Sequence, residues 1–308
     1  MSNDKKENKL QTVSQRFVDQ VERQFTAELG ESVQFTEYEK TLAQHIFLKT
    51  DEKLKDFEDK RLSKGNNKRT PFVWDNINIP KMALDAVHKV NLGLDALLPN
   101  HVHPIPYFNS KNKKYNVDLQ TGYEGIHYYH IKNAIDKPKR VIYELVHKTD
   151  EFVPIKCSLS NEVEHYEFKI TNAFDRGPVI GGFGYIMFED SIKNKLILVT
   201  MKDFKDSKDR AKSDAFWNPW EDRMQYKTVV KRTCKHIPLD PQKVNAKSLA
   251  YEENQFTEKK VQRQIEENAN SQSLDVDYEM AEDEPDPAPE EERTEDKPVG
   301  NDVEEPDF

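Results

Sequence analysis

RVIYELVH (140–147), FVPIKCSL (152–159), HYEFKI (165–170), PVIGGFGYIMF (178–188) and KLILVTM (195–201) are the segments whose reading decides the fold. Taken in succession they read as strands, rich in β-branched and aromatic residues. Helical patterns bracket them at both ends, so the chain is expected to be α+β, with a largely antiparallel central sheet flanked by helices.

Upstream of these strands, Ile105–Phe108 and Tyr115–Leu119 flank NSKNKK and predict a hairpin with a basic tip, Lys111, Lys113 and Lys114. TGYEGIHYYHIKN (121–133) opens on a glycine pair and reads as a short helix. PKMALDAVHKVNLG starts on Pro80 and stops on Gly93, the asymmetry expected of helix ends. Nearer the N-terminus, Phe17, Val21, Phe25 and Leu29 stand at helical spacing in SQRFVDQVERQFTAEL. A second helix is expected from Thr36, its cap, to about Thr50, with Tyr38, Leu42, Ile46 and Phe47 on the apolar side. EKLKDFEDKRLS prolongs the helical layer up to a basic loop, KGNNKR, at 64–69.

Downstream lies WNPWEDRMQYKTVVKRTCKHIP (217–238), expected to form one helix. Arg223, Lys227, Lys231 and Lys235 recur every fourth residue, and at about 100° per residue each step drifts only about 40°. The opposite face carries Tyr226, Val229, Val230, Thr233, Cys234 and Ile237, suited to a core. A row of cations at a pitch of roughly 6 Å suits a phosphate backbone, and a solvated helix face is the plain alternative. A further cluster, Lys202, Lys205, Lys208, Arg210 and Lys212, is diluted by Asp203, Asp206 and Asp209.

The net charge of −10 hides a division. Ser271–Phe308 holds 16 acids against Arg293 and Lys297, which leaves 44 bases against 40 acids in the first 270 residues. A mildly basic body therefore carries an acidic, proline-containing tail too poor in apolar residues to offset chain entropy, and that tail is expected to be disordered. The organisation expected is an N-terminal helical region at 1–62, its first dozen residues disordered, an α+β core at 63–245, and a linker and tail at 246–308. No window reaches the apolar length of a membrane span and no apolar signal core follows the first residues, so a cytoplasmic protein is expected. Cys157 and Cys234 fit reduced thiols used as small apolar residues.

No G-x-x-x-x-G-K-[ST] occurs, and the glycines from Gly177 to Gly184 lie in strand-like residues without a lysine to reach a phosphate. A nucleotide-driven motor is thereby disfavoured. Single-strand binding requires a cationic groove and exposed aromatic faces, and Tyr107, Phe108, Tyr115, Tyr123, Tyr128 and Tyr129 lie near the basic hairpin. Aromatics at alternating strand positions are usually core. Tyr123, between Gly122 and Gly125, is the one favoured for stacking.

The order of these parts resembles the RecT family of phage and prophage single-strand annealing proteins. The resemblance runs through LGLDALL, the hairpin, Gly122-Tyr123-Glu124-Gly125, the acidic junction Asp150-Glu151-Phe152, VTMKDF, and the pattern Trp220, Met224, Lys227, Thr228, Lys231, Arg232, Lys235, Pro238. It covers roughly Pro80–Pro238, and the last pattern is its most specific part. Glu124 stands where the family commonly has arginine, so no basic contact is carried over there, and LPNHVHPI replaces a small, polar segment. The resemblance implies ATP-independent binding of single-stranded DNA, annealing of complementary strands, and assembly into rings or helical filaments. It also implies partnership with a 5′-to-3′ exonuclease and the host's single-strand-binding protein in a bacterial cytoplasm, with no catalytic residue and no cofactor beyond a divalent cation that assists annealing. The DNA-binding residues expected are Lys114, Tyr123, Lys202, Arg223, Lys227, Lys231, Arg232 and Lys235; Lys202 lies where the family places a cation at the end of a strand.

Two other readings remain. His101, His103, His127 and His130 could converge on one metal ion in a metal-dependent enzyme. Alternatively the protein is an adaptor without a DNA role whose acidic tail recruits partners.

Overall fold

The computed structural model describes residues 12–29, 35–65, 68–211 and 217–252. Helix α1 (Val13–Leu29) buries Phe17, Val21 and Phe25, the stripe its four-residue spacing predicts; the Leu29 side chain lies outside the described residues. Helix α2 runs unbroken from Glu37 to Ser63, joining the two expected helical segments. Thr36 starts it with a capping box, its hydroxyl accepting from the Glu39 amide while the Glu39 carboxylate accepts from the Thr36 amide at 2.8 Å. Ion pairs one turn apart, Lys49–Glu52, Lys53–Asp56 and Lys55–Asp51, line its outer side. Tyr38 is exposed rather than on the apolar face, because the buried stripe begins at Leu42 and continues through Ala43, Ile46, Thr50 and Leu54.

Helix α3 (Ile79–Asn91) is capped by Asn78, carries Pro80 in its first turn, and buries nearly every side chain from Met82 to Val90. It is the centre of the larger core, covered by α1, α2 and the hairpin β1 (Val102–Asn109) and β2 (Lys114–Thr121). The hairpin turns at Ser110–Lys113, the expected basic tip. Helix α4 (Tyr123–Lys132) follows directly. Both glycines at its start are required by a close approach. A Cβ on Gly122 would sit 2.1 Å from the Asn100 carbonyl oxygen, and one on Gly125 would sit 2.6 Å from that of His101.

The five strand segments all form: β3 (Arg140–His147), β4 (Glu151–Ile155), β5 (His165–Lys169), β6 (Val179–Met187) and β7 (Lys195–Thr200). Every pairing between these named strands is antiparallel, but the expected central sheet is divided. β3-β6-β7 is one sheet, β4-β5 a separate ribbon, and β1-β2 a third unit. The ribbon packs Phe152, Tyr166 and Phe168 against Phe183 on one face of the three-stranded sheet. Arg176 ties ribbon to sheet, donating to Asp150 at 2.7 Å, Glu144 at 3.2 Å and the Leu145 carbonyl at 2.8 Å.

After β7, helix α5 (Met201–Asp209) is capped by Thr200, and α6 (Glu221–Cys234) lies across the other face of the sheet. α6 is shorter than expected: Trp217–Trp220 form a turn containing Pro219, and Lys235 is already the C-cap, three residues before Pro238. The predicted core face is correct, since Val229, Val230, Thr233, Cys234 and Ile237 are buried. The glycines of β6 make room for it. A Cβ on Gly184 would lie 1.7 Å from Thr233 Oγ1, and one on Gly182 would lie 2.6 Å from Val229 Cγ2. Residues 246–252, assigned to the linker and tail by composition, form α7 (Ala246–Glu252), which docks on α3. Of the two cysteines, Cys234 is buried as expected, whereas Cys157 is exposed rather than packed as a small apolar residue. The expected disordered terminus from Ser271 falls outside the described residues.

Candidate nucleic-acid interface

The cations of α6 do not share one environment. Arg223 is exposed and lays its guanidinium over the exposed Trp220 ring at 4.6 Å. Lys227 is half-buried between α6, α3 and α7; burial, together with Lys231 and Lys89 nearby, holds it down to about 8 against the pull of Glu252. Lys231 and the cap residue Lys235 are exposed. Arg232 turns towards α5 and pairs with Asp203 at 2.8 Å. Lys202, exposed in the first turn of α5, also acts on Asp203, so the structure brings Lys202 and Arg232 together around one carboxylate. A drift of about 40° per step accumulates to about 120° from Arg223 to Lys235, which explains why a stripe in sequence becomes three settings in space.

Around Lys227 the fold adds groups that sequence spacing did not single out. His103 of β1 lies beside it, with the ring edge against α4: a Cβ on Gly122 would be 2.9 Å from His103 Nε2. Although the residue is exposed, this crowding desolvates the imidazole. Desolvation, Lys227, and Lys49 and Lys53 of α2 push it down to about 4. Lys49 and Lys53 stand one turn apart on α2, and each also has an acidic partner three residues on. On the inner side Lys89 of α3 donates to Thr121 Oγ1 at 2.9 Å and pairs with Glu252 of α7. Lysines from α2, α3 and α6 thus converge near the start of α4. Their spacing on α2 was a readable signal; their meeting with β1 and α6 is tertiary.

Tyr123 is the first residue of α4 and is half-buried. Its hydroxyl accepts from Asn100 Nδ2 at 3.1 Å and its ring meets Tyr226 edge-on at 5.4 Å. The aromatics exposed beside cations are instead Phe108, near the hairpin tip with Lys111, Lys113 and Lys114, and Trp220 under Arg223. Tyr115 and Tyr129 are buried, as strand and helix aromatics usually are. Lys114, exposed at the start of β2, borders a cavity of about 450 Å³ with Arg16 and Trp74.

The four histidines take separate roles. His127 Nδ1 bonds the Tyr143 hydroxyl at 2.7 Å, which in turn contacts Cys234 Sγ at 3.1 Å, pinning α4, β3 and α6 together. Burial pushes the Cys234 thiol up to about 12. His130 Nδ1 bonds the Ile126 carbonyl, and His101 is buried against Tyr128. Among the described residues no group of three or more His, Cys, Asp or Glu side chains is placed to hold a metal ion. No described helix is long and apolar enough to cross a membrane.

No curated protein matches the chain. The model of the RecT family matches residues 86–270, from the middle of α3 through the hairpin, the sheet, α6 and α7. That match spans more than half of the sequence, and the chain belongs to the RecT family of phage-type single-strand annealing proteins.

Proposed function

We propose that the protein binds single-stranded DNA and anneals complementary strands without nucleotide hydrolysis, as an oligomeric ring or filament, and acts as a binder with no catalytic step. Family membership implies annealing in recombination. The observation that carries the finer reading is the convergence of Lys49, Lys53, Lys89, Lys227 and His103 near the N-terminus of α4, with Lys231 and Lys235 continuing along α6. A track of cations follows a phosphate backbone, and the exposed Phe108 and Trp220 supply ring faces on which bases stack. Lys114, Lys202, Arg223 and Arg232 extend the cationic surface, while Tyr123 supports the α4 start through Asn100 and Tyr226. The absence of a G-x-x-x-x-G-K-[ST] phosphate loop supports annealing without nucleotide, and a divalent cation assists by screening phosphates. A 5′-to-3′ exonuclease supplies the strands and the host's single-strand-binding protein shares them in the cytoplasm. The test is strand annealing followed by fluorescence transfer between two labelled complementary oligonucleotides without nucleotide. Annealing is expected at protein concentrations that saturate the first strand; a strict requirement for ATP would overturn the proposal.

A further inference from the structure

Helix α7 is held on α3 by several polar groups, with Leu249 packed against the larger core and Lys247 reaching Glu28 of α1. Ser248, fully buried, bonds His88 Nδ1 at 3.1 Å and Asn91 Nδ2 at 3.0 Å. Tyr251 stacks on His88 with ring centroids 4.1 Å apart and donates its hydroxyl to Asp85. Glu252 reaches between the helices to pair with Lys89, a lysine only 5% exposed that also donates to Thr121 Oγ1. Lys227, in the field of Glu252, Lys89 and Lys231, completes the surroundings of that carboxylate. Two lysines, Lys89 and Lys227, therefore face one anion, and the anion arrives on a seven-residue helix. Thr121 adjoins Gly122, against which the His103 ring rests, and Lys227 faces both groups, so the buried position is continuous with the exposed cations near α4.

A carboxylate and a phosphodiester each carry one negative charge on oxygen and satisfy the same donors. A buried ion pair contributes little net stability, because desolvation offsets attraction, so a short helix held by such a pair and a few hydrogen bonds undocks more readily than one held by apolar area. We propose that Lys89, Lys227 and Thr121 Oγ1 form an anion site that Glu252 fills in the free protein and that a phosphodiester of the DNA strand fills in the complex. Helix α7 is then an intramolecular competitor that leaves when the strand seats. This rests on the DNA-binding reading above.

The test uses the full chain and a fluorescein-labelled oligo(dT). Ser248→Ala with Tyr251→Phe loosens α7 without touching any lysine. Losing these hydrogen bonds raises the undocked fraction, and the apparent affinity for oligo(dT) rises with it, by ~10-fold or more. Hydrogen exchange of the α7 amides in the unsubstituted protein supplies a second reading that no folding defect can mimic: exchange should quicken when oligo(dT) saturates the protein. Equal affinities for both forms, with α7 exchange unchanged by oligo(dT), overturn the competition by α7 while leaving DNA binding intact. Absence of binding by either form overturns the DNA reading and this site with it.

Discussion

Replacing Lys227 by methionine should make the protein more stable and worse at binding DNA. The lysine is held near 8, against an ordinary 10.5, chiefly by burial, so keeping it charged at pH 7 costs the folded state ~3 kcal/mol. Lys227→Met keeps the length of the side chain and removes the charge, and Glu252 retains Lys89 as its partner. At ~2–4 °C per kcal/mol for a body of this size, and allowing for the lost attraction to Glu252, the midpoint of thermal unfolding should rise by ~5 °C or more. The sign is fixed by linkage. Between pH 8 and 10.5 the unfolded lysine binds a proton that the folded one releases, so the parent protein gains stability as pH rises through that window and the variant does not. The advantage of Lys227→Met should therefore be full below pH 8 and vanish towards pH 10.5. Differential scanning fluorimetry across pH 7 to 10.5 measures it, and a midpoint at pH 7 that is unchanged or lowered would refute the reasoning. Oligonucleotide affinity, titrated against salt, should show a slope smaller by ~0.7 in the same variant.

Substituting Gly184 by alanine should cost about 3 kcal/mol in urea unfolding, because the new methyl enters the space of Thr233 and α6 must lift; adding Thr233→Gly should restore a measurable part, and no recovery would mean that α6 does not press on that position. His88, 2% exposed and pushed down to about 3 by burial, takes up its proton in the unfolded chain first, so stability should fall as pH drops below 6.5 by up to ~1.4 kcal/mol per unit; urea titrations at pH 7 and 5 should show a smaller loss in His88→Gln, and an identical loss would assign the acid sensitivity elsewhere. Deleting residues 271–308 removes a segment of net −14, and affinity for oligo(dT) should tighten at low salt and converge with the full chain at high salt; equal affinities at low salt would leave the tail no part in DNA binding.

Strands β3 to β7 were legible because short β-branched runs between turn residues leave few alternatives, and α1 and α3 because spacing and end residues agreed. How the strands group was not legible. Antiparallel neighbours in sequence pair by default, yet β3 pairs with β6, and the intervening β4-β5 ribbon folds over the face carrying Phe183. The glycines of β6 were identified as unfit for nucleotide phosphates, but their use as clearance for Val229 and Thr233 depends on which helix lands there. The candidate site was half visible. Helical spacing points to Lys227, Lys231 and Lys235, whereas the one-turn spacing of Lys49 and Lys53 does not reveal that they meet β1 and α6, and Lys89 lies in a helix whose pattern records only core. The glycines that flank Tyr123 suggest an exposed ring in sequence, and in the fold they allow α4 to approach Asn100 and His101.

The contrast between the two cysteines gives the unsubstituted chain a chemical handle. Cys234, enclosed beneath the Tyr143 hydroxyl, holds its proton up to about 12 and is shielded from alkylating reagents, whereas Cys157 stands exposed after β4 on the ribbon. One maleimide dye per chain should therefore attach without engineering, at a position remote in sequence from α6 and α7. Mixed donor- and acceptor-labelled chains would then test the proposed assembly on a strand, through energy transfer between the ribbons of neighbouring copies.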